Sequence, residues 1–518
     1  MTPADEIDSK EAVFWADQSA REIIARRDRY VVATGITPSG EIHIGNMREV
    51  VTADTIVRVL REPGHNPQLK YIADTYDPLR RVYPFLDPQK YASHIGKPLS
   101  EIPCPCEKHE SYAEHFLEPF LRSLKALDIQ VEIFRADRMY KDGQYTQNII
   151  RALEGTERIR AILKEATGKK TDEHWSPFNP LCNTCKRMIG TIVTDFDAAE
   201  KTVSYKCDCG DNGSAPMAGG GKLTWRVDWA ARWEILGVTI EPFGKDHASA
   251  GGSYDSGVKI SKEIFGYEPP FPIVYEWISL RGGGDMSSSK GNVISIHEML
   301  EVVPAEVLKY AVVKVKPNRR IVFDPGLPLL QLIDEFDDPT SPNRHRRAAE
   351  LSAVPGSPPV KAPFRHIVSL VQTTQNDIDE MAAILKRSGY DVSDLEALKA
   401  RATYARKWLD RFAPEEVRFE VQKTLPPTAN ALKPHQKKAL GLLADKLRSG
   451  MNADEIHSVI YSVKDKVKAT PQELFEAIYQ ALLGKSRGPR AGFFLASLET
   501  EFLAARFKEV AATPGSGS

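Results

Sequence analysis

RYVVATGITPSGEIHIGN, residues 29–46, is the stretch on which the reading of this chain turns. Its first part, RYVVAT, is a run of apolar and β-branched residues that predicts a short buried strand. A turn containing Gly35, Pro38 and Gly40 follows. From His43 onward the apolar positions Met47, Val50, Val51, Ile56, Val59 and Leu60 recur at helical spacing. A strand that passes through such a turn into a helix leaves free N–H groups and the positive end of the helix dipole at the turn, a place suited to phosphate. Gly35, Gly40 and Gly45 let a ligand approach the backbone closely, and His43 adds an imidazole donor. On its own the segment is equally compatible with an ordinary strand–turn–helix.

Outward from this stretch, LKYIA at 69–73 and residues 131–134 read as further strands. Strands alternating with helical patterns predict an α/β fold with a parallel, doubly wound sheet. Beyond residue 364 the pattern is helical almost throughout, as at 367–385, 395–411, 436–447, 453–467 and 471–483. Thr470 before Pro471 is a candidate N-cap. Pro339, Pro342, Pro355, Pro358, Pro359 and Pro363 mark a linker or irregular crossing between the halves. The tail, PGSGS at 514–518, is expected to be disordered.

The bulk numbers exclude some classes. A chain of 518 residues with 42% hydrophobic and 27% charged residues is ordinary globular material with room for several domains. No apolar run reaches the length of about 18 residues that a membrane helix requires. Asp5, Glu6 and Asp8 give the N-terminus the wrong charge for a secretion signal, so a cytoplasmic location and no membrane association are expected. The formal net charge is −1, but residues 401–450 hold eleven Lys or Arg against five Asp or Glu. That local excess fits a polyanion or, as readily, solvated helix faces.

Two more segments carry chemistry. GGGDMSSSKGN at 282–292 joins three glycines to three serines and Lys290. Such a loop can close over a triphosphate and stabilise charge on departing pyrophosphate. GKDH at 244–247 places Gly244 and Asp246 at a strand end, suited to backing a ribose.

Together these segments resemble the paired signatures of class I aminoacyl-tRNA synthetases. His43-Ile44-Gly45-Asn46 is similar to the HIGH motif, with Asn in its last place, and Met286-Ser287-Ser288-Ser289-Lys290 is similar to the KMSKS loop. Asp285 stands at that loop's first lysine position and Ser288 at its second, so the positive charge rests on Lys290. HIGN followed by MREV, residues 225–257, SSSKGNVIS at 287–295, KPNRRIVFDPGLPLL at 316–330 and RGPRAG at 487–492 resemble the class I lysyl-tRNA synthetases over nearly the whole chain. The resemblance implies a Rossmann-like catalytic domain over 1–315 with an insertion near 155–225. It implies a helical junction and linker over 316–363 and an all-α anticodon-binding domain over 364–518. Just after the signature loop, Ser295 and Glu298 form a candidate capping box.

The implied reaction joins L-lysine to tRNA through a lysyl-adenylate, with ATP as substrate, Mg²⁺ accompanying it, and tRNA as partner. A monomer is expected. His43, Asn46 and Lys290 are the expected catalytic residues. Pro38, Ser39, Gly40, His43, Gly45, Asn46, Gly244, Asp246, Met286, Ser287, Ser289 and Lys290 are the expected ATP contacts. The resemblance places Thr34, Gly35, Trp225 and His247 around lysine. A lysine side chain also needs an apolar wall and an acceptor. Trp225, Trp229 and Tyr275 are candidate walls, and Asp74, Asp77 and Asp228 candidate acceptors. The rival readings are a class I synthetase for glutamate or cysteine, another HIGH-type nucleotidyltransferase, and a noncatalytic zinc-containing RNA-binding protein.

The cysteines fall in tight pairs, which in such a chain point to metal before disulfides. Cys182-x2-Cys185 and Cys207-x-Cys209 match a closed, structural tetrathiolate zinc site. Cys104 and Cys106, near His109, could supply ligands but are expected to be ordinary buried thiols.

Overall fold

The computed structural model describes residues 13–286, 293–338, 340–356 and 362–513. Ser287, Ser289 and Lys290 of the glycine–serine loop, and the tail at 514–518, lie outside the described residues.

The chain divides into two compact units. One holds residues 13–300, 305–323 and 342–354, the other 301–304, 324–341 and 355–513. The stretch expected to be a linker thus contributes to both. Arg347 explains part of this division, since it ties the helix Asn343–Ser352 to Asp17 at 2.6 Å and Glu62 at 2.7 Å in the first unit.

The first unit is built on strands β1 (Val31–Ile36), β2 (Gln68–Ala73), β3 (Glu132–Arg135), β4 (Ile240–Gly244) and β5 (Phe271–Tyr275). They lie parallel in the order β5-β4-β1-β2-β3. Val31, Val32 and Ala33 of β1 and every residue of β4 are buried, as in a sheet covered on both faces. Helix α1 (Ile44–Arg61) follows β1 and packs on β1 and β4. The strand order reverses between β1 and β4, so a crevice opens at their carboxyl ends, where ligands of open α/β sheets bind.

Arg48 on α1 is fully buried and donates to the carbonyls of Val312, Val315, Lys316, Pro317 and Arg319 at 2.8–3.4 Å. It pins the segment after helix Ala305–Val313 to α1.

The insertion between β3 and β4 carries an antiparallel meander of Thr191–Asp197, Thr202–Cys207 and Asn212–Pro216, and the short pair Phe178–Pro180 with Gly221–Leu223. It returns to the sheet through helix α2 (Trp225–Leu236).

The second unit is helical. The pattern at 367–385 forms Phe364–Thr373 and Ile378–Arg387 rather than one helix. Gln375 and Asn376 break it, with φ of 51° and 73° in the left-handed region. Asp377 then caps the second helix through Glu380 N at 3.0 Å. Helices Leu395–Arg411, Pro434–Lys446, Ala453–Val467, Pro471–Leu483 and Thr500–Ala512 follow. Thr470 caps the helix at Pro471 in a capping box with Glu473. No described helix is long and apolar enough to cross a membrane.

Candidate functional site

A cleft of about 270 Å³ lies at the carboxyl ends of β1, β4 and β5. Gly35, Ser39, Gly40, Asn46, Glu49, Gly244, Asp246, His247, Tyr275 and Trp277 line it. The turn from β1 to α1 forms one lip. There His43 is the N-cap of α1: its Nδ1 accepts from Gly45 N at 3.1 Å, and His43 N donates to Asn46 Oδ1 at 3.1 Å. A β-carbon at Gly45 would stand 2.7 Å from the His43 ring, so only glycine lets the imidazole fold back. Because Nδ1 accepts, the neutral ring carries its proton on Nε2. Burial lowers the His43 pKa to about 4, so it serves as a neutral donor at physiological pH.

Both flanks of the glycine–serine loop reach this lip. Met286 Cε lies 3.4 Å from the β-carbon position of Gly45, and Ile44 N donates to Ile294 O at 3.1 Å. Ser295 and Glu298 then close a capping box at helix Ile296–Leu300. On the opposite side, Asp246 lies in the first turn of the short helix Lys245–Ala248 at the end of β4. A β-carbon at Gly244 would meet its carboxylate at 2.6 Å.

A second carboxylate in the cleft is Glu49. Gly35 N donates to Oε1 at 2.8 Å and Tyr275 OH to Oε2 at 2.7 Å. Burial outweighs these bonds and pushes its pKa up to about 8. Trp229 and Trp233 donate to buried Glu241, whose pKa burial raises to about 7. Trp225 stacks on Trp229 at 5.4 Å and lies 6.0 Å from His247, so the tryptophans form a wall beside the cleft.

Asp74, Asp77 and Asp228 share a buried network with Arg232 and Lys222. Arg232 Nη2 bonds Asp74 and Asp228 at 2.6 Å each, and Lys222 Nζ bonds Asp77 at 2.5 Å. For Asp74, burial favours the neutral form, but the charges of Arg232 and Lys222 win and hold its pKa at about 2. The expected acceptor is therefore already occupied by internal cations. Thr37 Oγ1 donates to Asp77 at 2.8 Å and joins this network to the β1 turn.

Cys182 and Cys185 follow strand Phe178–Pro180, and Cys207 and Cys209 bracket a meander turn. Their sulfurs pair at 3.6 Å (Cys182–Cys209) and 3.7 Å (Cys185–Cys207), and all lie within 4.8 Å of one another. Cys104 and Cys106 do not form the ordinary buried pair expected. Cys106 is exposed, and both sulfurs face His109 and His115, because the turn before helix Tyr112–Ala126 folds these residues together.

Residues 13–352 match the family model of class I tRNA synthetases (K). A lysine–tRNA ligase of Methanosarcina barkeri is 49% identical over 526 residues, covering 96% of this chain and 98% of the relative. A lysine–tRNA ligase of Archaeoglobus fulgidus is 48% identical over 496 residues, covering 95% and 99%. The solved glutamate tRNA ligase of Elizabethkingia meningosepticum is 13% identical, covers 94% of this chain and 100% of its own, and aligns with a TM-score of 0.43. This chain is a class I tRNA synthetase.

The synthetase's cleft brings together eight of the residues singled out by sequence: Gly35, Ser39, Gly40, Asn46, Gly244, Asp246, His247 and Tyr275. His43 and Met286 stand at its lip, and Trp225 stands behind His247. Thr34 is buried on β1 and its hydroxyl has no partner among the described residues. Pro38 lies in the same turn. Glu49, Thr37, Trp277 and Arg232 were not legible as site residues. The one sequence signal for Glu49 is a carboxylate on the stretch that carries the apolar positions Met47, Val50 and Val51.

Proposed function

We propose that this synthetase is a lysine–tRNA ligase, which activates L-lysine with ATP and transfers it to tRNA. The observation that carries the reading is a cleft under the HIGN turn whose half-buried carboxylate, Glu49, faces the expected ammonium. The near-full-length likeness to lysine–tRNA ligases supports it.

ATP lies over the β1–α1 turn, with Pro38, Ser39, Gly40 and Gly45 against its phosphates. The α1 N-terminus and the His43 Nε2–H donate to phosphate oxygens. Asn46 holds His43 in place, its side-chain Oδ1 accepting from the His43 backbone N–H. Gly244 and Asp246 back the ribose. Met286 stands at the lip, and the hydroxyls of Ser287 and Ser289 and the Lys290 cation, outside the described residues, are assigned to the phosphates; Mg²⁺ accompanying ATP would add charge neutralisation. Lysine occupies the inner cleft, its methylenes beside Tyr275, Trp225 and His247 and its ammonium on Glu49. Thr34 and Gly35 flank it, and Asp74 acts through the network that fixes α2. The lysine carboxylate attacks the α-phosphate and pyrophosphate leaves. No general base is needed, because that carboxylate is already ionised. Catalysis is positioning plus electrostatics.

The converging thiols of Cys182, Cys185, Cys207 and Cys209 fit a structural zinc with no open position. The helical unit carries tRNA and its anticodon, and the enzyme works as a cytoplasmic monomer. Lysine-dependent ATP–pyrophosphate exchange tests the assignment. Exchange driven by glutamate or cysteine but not lysine would overturn it, and so would the absence of any exchange.

A further inference from the structure

We propose that Glu241 is a positioning residue for the amino-acid cleft: its two carboxylate oxygens fix the indoles of Trp229 and Trp233, and Trp229 in turn sets the wall that Trp225 and His247 present to the substrate side chain. Helix α2 carries Trp225, Trp229 and Trp233 one turn apart, so the three indoles share one face. Trp229 and Trp233 are buried, whereas Trp225 at the start of the helix is exposed. Trp229 Nε1 donates to Glu241 Oε1 at 3.0 Å, and Trp233 Nε1 donates to Oε2. An indole nitrogen donates and never accepts. Two such partners at the two tips of one side chain require an acceptor at each tip. An ionised carboxylate meets that demand, whereas an amide or a protonated carboxyl turns a donor towards one indole.

Core packing is the competing account, and it does not call for a carboxylate in this place. Glu241 is buried, and Arg232, whose charge it feels, is bonded instead to Asp74 and Asp228. Among the described residues no cation pairs with Glu241, so its burial costs stability that an apolar side chain would not cost. What the carboxylate supplies is direction. Contacts of Trp229 with Phe243 and Tyr254, at ring separations of 5.4 and 6.2 Å, are largely non-directional, whereas a hydrogen bond selects one orientation of the indole.

That orientation reaches the cleft through two short steps. Trp225 stacks on Trp229 at 5.4 Å with 13° between the ring planes, and His247 lies 5.4 Å from Trp229 and 6.0 Å from Trp225. Strand β4 supplies both ends of the arrangement. Its Glu241 and Phe243 anchor the wall, and its Gly244 follows directly into the cleft. Wall and cleft are thereby registered to one strand. The two bonds stand on geometry, whereas lysine as the side chain that the wall receives rests on the proposed ligase reading.

The experiment compares wild type, Glu241→Leu and the double variant Glu241→Gln, Trp233→Phe as full chains. Glu241→Leu removes both acceptors. The double variant gives Trp229 an amide oxygen and takes away the indole N–H that would confront the amide nitrogen. In pyrophosphate exchange, Glu241→Leu is expected to raise KM for lysine about tenfold, the scale of one lost hydrogen bond. Its kcat stays within about threefold and its KM for ATP within about twofold, because a wall beside the side chain acts alike in the ground and transition states. The double variant is expected to return KM for lysine to within about threefold of wild type, although it alters the core at two places. An unchanged KM for lysine in folded Glu241→Leu overturns the proposal. So does a double variant as poor as Glu241→Leu, which is the result a packing defect gives. If Glu241→Leu does not fold, the double variant and the indole protons of the wild type decide. In protein labelled with ¹⁵N-tryptophan, the indole protons of Trp229 and Trp233 are expected well downfield of that of exposed Trp225. Resonances of both beside that of Trp225 overturn the two bonds. If wild type carries out no lysine-dependent exchange, the ligase reading and the lysine role fall, while downfield indole protons uphold the two bonds.

Discussion

At residue scale, Glu49 separates this cleft from a generic nucleotide site. Its carboxyl is held up to about 8 by burial, and in the proposed reading the lysine ammonium requires the ionised form. The sign follows. At pH 7 about a tenth of Glu49 is ionised and at pH 9 about nine-tenths, while the lysine ammonium stays charged through most of that window. Lysine affinity is therefore expected to rise about tenfold from pH 7 to pH 9, with proton release on binding, in calorimetry across buffers. Glu49→Gln should bind weakly and lose this dependence; a profile that survives the substitution assigns the titration elsewhere, with Glu241 the nearest candidate. His43, near 4, is neutral across this window and does not contribute to it. A second expectation concerns Lys290. Its charge should matter when pyrophosphate leaves, so Lys290→Ala should slow exchange about 10²- to 10³-fold with little change in lysine affinity. A kcat within about threefold of wild type contradicts the role given to the loop.

At the scale of elements, α1 does two jobs. Its N-terminus faces the cleft, and its second turn anchors the chain beyond residue 311 through Arg48. Arg48 spans five carbonyls, and each buried acceptor left unpaired costs about 1–3 kcal/mol. Arg48→Met is expected to destabilise the protein by at least about 3 kcal/mol, seen as a lower urea midpoint. A change under about 1 kcal/mol means that water or neighbouring donors replace it. The strand–turn–helix of residues 29–61 was legible because propensity, glycine placement and period all agree there. The break at Gln375 and Asn376 was not, because neither residue type forbids a helix. Left-handed backbone at both positions is imposed by packing of the flanking helices, beyond the reach of local periodicity.

For the whole molecule, the division of labour is testable. Removing residues 355–518 should abolish transfer to tRNA while lysine-dependent exchange persists at a reduced level. Charging at the wild-type kcat/KM by a folded truncation would show that tRNA is not held by the helical unit. Reduced exchange is expected because helix Leu327–Asp337 loses its partner Phe364–Thr373, where Asp334 accepts from Phe364 N at 2.8 Å. The basic excess at 401–450 is also smaller in effect than its composition suggests. Arg401 is buried against Asp337, Lys437 is buried, and Arg411 pairs with Glu301. Trp408 is fully buried and donates to Pro325 O, so it is core and not a stacking surface.

The sequence by itself determined the α/β class, the strand–turn–helix of residues 29–61, the helical second half and the tetrathiolate set. All of these rest on local rules: period, glycine placement, capping and short spacings. What only the tertiary structure decided depends on residues far apart in the chain. Glu49 becomes a site residue because β5 brings Tyr275 to it across 226 positions. Asp74 is removed from the list of free acceptors because α2 delivers Arg232 across 158. Tyr112 reaches Ser39 across 73 residues, and so links a cysteine–histidine cluster to the nucleotide turn. Burial and pairing set which charges are available, and both are properties of the folded chain.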